Sequence, residues 1–86
     1  MWKIQFTDKS RKLFKTLDHS IQRRILHYLE TRVVANPRKH GDMLTGDKKG
    51  LWRYRVGDYR VIAQHEDAHL LVLIIRVGHR KDVYDF

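Results

Sequence analysis

Arginines at positions 53, 55, 60, 76 and 80, with Lys81, are the residues of this chain best placed to do chemistry together, and His79 and Tyr84 stand among them. Such a set suits a phosphodiester. RNA can be cut without a metal because its own 2′-hydroxyl can attack the adjacent phosphate. A protein then has to hold the backbone in line, stabilise the crowded phosphorane and move two protons. Arginine and lysine do the first two by positioning and by opposing the developing charge. A tyrosine can stack on a base and orient the nucleotide. The pattern "LWRYRVGDYR" sharpens the reading. If Gly57-Asp58 is the whole of a hairpin turn, Val56 pairs with Tyr59 and Arg55 stands opposite Arg60. Like charges directly opposite in a sheet are destabilising, so folding alone selects against this pair and an anionic ligand would justify it.

Other chemistries fit less well. The histidines at 19, 27, 40, 65, 69 and 79 form no H-x-x-x-H pair on a helix, and there is no cysteine to supply a thiolate. The carboxylates are scattered, so no two-metal cluster is visible, and no metal site is expected. Ser10 and Ser20 stand at or near helix starts, where capping explains them. Gly46, Gly50 and Gly57 lack the spacing of a phosphate-binding loop and its Lys-Ser/Thr ending.

A length of 86 residues predicts one domain, over 1–86, with one small core, and 42% hydrophobic residues are enough to fold it. The formal net charge of +8 suits a polyanionic partner. Ten Lys/Arg and three Asp/Glu fall in residues 1–40, against eight and seven in residues 41–86. Bulk positive charge therefore sits in the N-terminal half, while the cations of the C-terminal half are fewer but clustered. No apolar run is long enough for a membrane span and no signal-peptide pattern opens the chain, so the expected compartment is the cytoplasm.

The elements that must position these residues follow from periodicity. "WKIQFT" alternates as a half-buried strand. Thr7 or Asp8 can cap a helix carrying Leu13, Phe14 and Leu17 on one face. Asp18 or Ser20 can cap a second, in which Ile21, Ile25, Leu29 and Val33 recur at fours until Pro37 stops it. A polar, glycine-punctuated loop leads to strands over 51–56 and 59–65, and the last long strand is "HLLVLIIRV". The predicted fold is α+β, in the order β-α-α-β-β-β, with a helical hairpin packed on one face of a mainly antiparallel four-stranded sheet. "LLVLII" is apolar at every position, which normally means cover on both faces. The helices cover one; the other is expected to be covered by another protein.

The stretches "GLWRYRVGDYRVIAQ" (50–64) and "IIRVGHRKDVY" (74–84) resemble the RelE/ParE superfamily of bacterial type II toxin–antitoxin modules, and the likeness runs over nearly the whole chain. The resemblance implies the same β-α-α-β-β-β fold. It further implies a RelE-like toxin, an endoribonuclease that cuts mRNA in the ribosomal A site without a metal or other cofactor and leaves a 2′,3′-cyclic phosphate. A cognate acidic antitoxin would wrap and silence it, and only the pair would bind operator DNA. By the same likeness Arg53 and Arg55 match two basic positions of the first hairpin strand, Arg60 a phosphate-binding arginine, Arg80 an arginine that serves the leaving group, and Tyr84 a stacking tyrosine. Arg55 departs from the family, which often has a lysine general base there, because arginine does not readily deprotonate. His79 is the first substitute, since imidazole titrates near neutrality, with Lys48, Lys49 and Lys81 behind it. A second departure is the lack of a helix beyond Tyr84. Lys12, Lys15 and Arg24 on the helical hairpin are expected to meet ribosomal RNA. The alternative implied by the resemblance is a ParE-like poison of DNA gyrase without ribonuclease activity.

Overall fold

Alternation at the start of the chain forms β1 (Lys3–Phe6), and the computed structural model describes all of residues 1–86. Thr7 then starts α1 (Asp8–Lys15): its side-chain oxygen accepts the Ser10 backbone N–H at 3.1 Å, one of the donors a helix start leaves unpaired. Ser10 does more than sit near a cap. It is fully buried, and its hydroxyl donates to the Ile74 carbonyl at 2.7 Å, fastening α1 to the sheet.

The second helix, α2 (His19–Tyr28), begins after Asp18. Its apolar repeat at fours cannot stay on one face of an α-helix, because each step overshoots the turn by about 40°. A π turn over Leu29–Val33, closed by the Val34 N–H donating to the Leu29 carbonyl at 3.0 Å, takes back part of that drift. Ile25, Leu29 and Val33 are all fully buried in consequence. Pro37 ends this run as expected but also opens a short helix, α3 (Pro37–His40), where its missing N–H costs nothing.

Three strands follow the short β2 (Asp42–Met43): β3 (Trp52–Val56), β4 (Tyr59–Glu66) and β5 (Leu71–His79). The sheet order is β1-β5-β4-β3-β2, with β1 parallel to β5 and every other pair antiparallel. The α+β class is as predicted, and the expected four strands become five. A strand of two residues is too short to show alternation in a sequence. Gly57 has φ +61° and is the only residue of its turn at positive φ, the pattern of a type II′ hairpin with glycine first. Val56 accordingly pairs with Tyr59 and Arg55 with Arg60, the register read from the sequence.

The helices cover one face of the sheet. Phe14, Ile25, Leu29 and Val33 meet Tyr54, Val56, Val61, Ala63, Val72, Ile74 and Val77 there. Gly41 is required by this core for want of space, since a Cβ on it would lie 2.7 Å from Cε1 of the buried Tyr54 ring.

The opposite face corrects one expectation. Ile62 lies outside the helix-side core yet is fully buried, set between Arg53 and Arg76 of the neighbouring strands. Beyond β5 the chain turns back on this side, and the Phe86 ring stands 4.9 Å from the Arg76 guanidinium and 4.8 Å from Lys48 Nζ. The last residues thus cover part of this face. Towards the start of β5 it stays more open: Leu71 and Leu73 are only partly buried, and Leu70 is 46% exposed. A bulge opposite Ile62/Ala63 makes Ile75 the extra residue of β5, since Ala63 pairs with Ile74 and Ile62 with Arg76.

Candidate functional site

Residues directly opposite in neighbouring strands share a face. Asp42 is opposite Arg53, Arg53 opposite Ile62, and Ile62 opposite Arg76. One step along, Arg55 is opposite Arg60 and Arg60 opposite Gly78. Arg53, Arg55, Arg60 and Arg76 therefore lie together on the face away from the helices.

Each arginine is held differently. Arg53 donates to Asp42 at 3.1 Å, and Arg55 lies at 4.0 Å from the same carboxylate. The Tyr84 hydroxyl beside Arg53 is the main cause that holds its guanidinium above the already high ordinary value; partial burial opposes this and Asp42 adds to it. The Arg53 Nε–H is buried with no protein acceptor. Arg60 donates from one nitrogen to the Gly57 and Tyr59 carbonyls, both at 2.8 Å, which fixes its base and leaves its other donors free. Arg80 is brought to the same end of the sheet by its backbone N–H, which donates to the Asp58 carbonyl at 2.8 Å. Its side chain is 3.9 Å from the Asp58 carboxylate and mostly exposed.

The arginine set and Tyr84 thus come together, with Lys48 joining through Phe86. Lys49 and Lys81 are exposed at the margin, and the Lys81 backbone N–H donates to His79 Nδ1 at 3.2 Å. His79 does not join them. It pairs with Tyr59, so its ring lies on the helix side of the sheet, edge-on to Tyr59 at 5.6 Å, in a groove with Leu13, Leu17 and Val83. Lys12 and Lys15 are exposed on α1, and Arg24 on α2 reaches to the β3–β4 turn at Gly57. Two members of the site carry no signal in the sequence. Asp42 is one acid in a polar loop, and only the pairing of β2 sets it against Arg53. Phe86 reaches Arg76 only because the last residues turn back.

A five-stranded sheet thus carries a helical hairpin on one face and clustered arginines on the other. Residues 4–84 match the family described as the ParE toxin of type II toxin-antitoxin system, parDE. The chain belongs to this family, within the RelE/ParE superfamily, and is a toxin of the type II toxin–antitoxin class. Among curated proteins, Toxin RelG of Mycobacterium tuberculosis is 28% identical over 81 residues, which is 94% of this chain and 93% of that one. A chain of the M. tuberculosis toxin–antitoxin complex RelBE2 superposes with a TM-score of 0.87 at 26% identity, covering 92% of this chain and 98% of its own. The isolated Escherichia coli RelE toxin gives 0.78 at 21% identity, covering 92% and 84%, a likeness of fold.

Proposed function

We propose that this toxin is a ribosome-dependent mRNA endoribonuclease in which the RNA's own 2′-hydroxyl is the nucleophile and a 2′,3′-cyclic phosphate is left. One observation carries the reading: Arg53, Arg55, Arg60 and Arg76 share one sheet face, with Arg80 at its end and Tyr84 laid against Arg53. A phosphodiester on that face meets donors whose charge opposes the charge of a phosphorane. Arg53 and Arg55 hold the backbone, Arg60 the scissile phosphate, and Arg80 the leaving oxygen, while Tyr84 stacks on the base. An array of guanidinium groups suits this metal-free route, since it repels a divalent cation. The face carries no imidazole, because His79 is turned to the helix side. The missing proton acceptor is then supplied by the ribosome, which makes cleavage ribosome-dependent.

A cognate antitoxin follows from the same face. The solved structures this chain resembles include the M. tuberculosis toxin-antitoxin complex RelBE2 and the intact Escherichia coli RelBE toxin-antitoxin complex. An acidic segment would neutralise the arginines, and an apolar one would cover Leu70, Leu71 and Leu73. Operator DNA is a partner of that complex alone. No helix is long and apolar enough to cross a membrane. The second reading, a gyrase poison, is favoured by the description of the matching family as ParE toxin.

The test presents the purified chain with naked mRNA, with mRNA on programmed ribosomes, and with gyrase and supercoiled DNA. Cleavage on ribosomes, far faster than in solution, unchanged by a chelator and stopped by antitoxin, is the expected result. Equal rates on naked RNA remove ribosome dependence, and loss of cleavage with chelator removes the metal-free route. Broken DNA with intact mRNA puts the gyrase reading first.

Docking on the ribosome is assigned to α1. Lys12 and Lys15 lie exposed in its last turn and are proposed to contact rRNA phosphates. Reversing both charges is expected to weaken ribosome binding and flatten its salt dependence, because phosphate contacts release counterions. Unchanged binding across a salt series returns them to a solvated helix face.

A further inference from the structure

A second basic cleft lies where α2 and its π turn meet the β3–β4 turn. It has a volume of about 310 Å³ and is lined by Arg24, His27, Tyr28, Thr31, Arg32 and Arg55. No carboxylate is among its lining residues. Arg24 and Arg32 form no ion pair and no side-chain hydrogen bond, whereas Arg38, Lys48, Arg53, Arg55 and Arg80 are each paired with a carboxylate. The acid paired with Arg55 is Asp42, at 4.0 Å and already held by Arg53 at 3.1 Å.

Three features show that the cleft is more than an accident of charged side chains. Cations near a helix C-terminus are favoured by its dipole, which accounts for Arg32 but not for Arg24, a full turn before the end of α2. Arg24 instead lies against Gly57, where an added Cβ would stand 2.9 Å from both its Nη atoms, so the bare turn gives the guanidinium its place. The π turn holds Thr31 and Arg32; without its extra residue they would stand about 100° round the helix, and such turns recur at functional sites. Arg55 belongs to both places. It is exposed on the sheet face beside Arg60 and also lines the cleft, so the two basic surfaces meet at this residue.

We propose that this cleft is a phosphate subsite for the RNA strand acted on by the arginine face. It holds one backbone phosphate at a nucleotide flanking the scissile one, between Arg24 and Arg32, with the strand turning round the sheet edge at Arg55. The assignment to the substrate strand rests on the ribonuclease reading, whereas the phosphate chemistry does not.

The test uses the full chain and a fluorescent, uncleavable 2′-O-methyl RNA long enough to reach from Arg60 to the cleft. Arg24→Gln/Arg32→Gln is expected to weaken its binding about tenfold, as loss of charge-assisted contacts does. The slope of log Kd against log salt should fall by about 0.7, the value for one phosphate of a single strand. Arg24→Lys/Arg32→Lys, which keeps the charge, should keep the slope. In the unaltered chain, inorganic phosphate should shift the amide resonances of Thr31 and Gly57. The variants should not differ on a dinucleotide, which cannot span both places. An unchanged slope for the long RNA overturns the proposal. So does a loss confined to ribosome binding, which gives the cleft to rRNA, or one confined to antitoxin binding, which gives it to an acidic peptide. A fall in slope in a chain that never cleaves mRNA overturns the ribonuclease reading and leaves the phosphate site standing.

Discussion

Arg60→Ala is expected to lower mRNA cleavage on the ribosome by two to three orders of magnitude while the chain remains folded. Removing one preorganised donor from a developing oxyanion costs about 3–4 kcal/mol of transition-state stabilisation. Arg60 fits that role because the Gly57 and Tyr59 carbonyls hold one of its nitrogens at 2.8 Å, so little reorganisation is left to the reaction. The substitution should not destabilise the fold, since it removes the repulsion between directly opposed Arg55 and Arg60. Arg80→Ala should behave alike. The contact that ties this residue to the β3–β4 turn is its backbone N–H to Asp58, which alanine keeps, and the exposed ion pair with Asp58 contributes little to stability. His79→Gln should stay within a few-fold of the parent rate, because the ring faces the helices. Growth arrest at matched expression and single-turnover cleavage read all three. Full toxicity of Arg60→Ala or Arg80→Ala refutes the assigned roles, and a collapse with His79→Gln returns the imidazole to the chemistry.

The contrast between Arg60 and His79 shows how far local pattern reaches. A two-residue turn at Gly57-Asp58 leaves one register for the hairpin, so the pairing of Arg55 with Arg60 is legible from the sequence. Spacing alone ends the last strand at Val77, whereas β5 continues to His79. Two more residues of alternation suffice to place the ring on the wrong side for a base. The repeat of Ile21, Ile25, Leu29 and Val33 carried the π turn in plain view, since a strict spacing of four fits no straight α-helix. Asp42 and the tail that sets Phe86 against Arg76 are different in kind. Each depends on residues distant in sequence coming together, and no propensity or period records that. The fold is therefore legible almost throughout, and the site is legible where one hairpin builds it.

Acidification from pH 6.5 towards pH 4 is expected to cost the fold roughly 2 kcal/mol through one residue, His65. Its ring is stacked on Trp52 at 4.7 Å and tilted against Trp2 at 5.8 Å. In the tautomer with its proton on Nε2, it donates to Tyr54 Oη at 2.6 Å, and Tyr54 donates in turn to the Pro37 carbonyl at 2.9 Å. Nδ1 is buried without a partner, so a second proton would have no acceptor. Burial first, and the Arg38 guanidinium second, press the pKa down to about 4, with Asp67 opposing them. The unfolded chain binds its proton near pH 6.5 and the folded chain only near pH 4. Between these values the unfolded state holds more protons, so stability is full above pH 6.5 and falls as pH drops through the window. A shift of this size corresponds to about 3 kcal/mol for an enclosed group, and the half-buried ring keeps part of that. Asp67, held below the ordinary carboxylate range by its hydrogen bond with Arg38, acts below the window and not within it. Urea unfolding at pH 7, 6, 5 and 4 measures the effect. His65→Phe keeps the stack and leaves Tyr54 its bond to Pro37, so its stability should change much less between pH 6.5 and 4. A wild-type midpoint that does not fall over this range, or a variant that falls equally, would show that the Tyr54–His65 pair does not set the acid sensitivity of the fold.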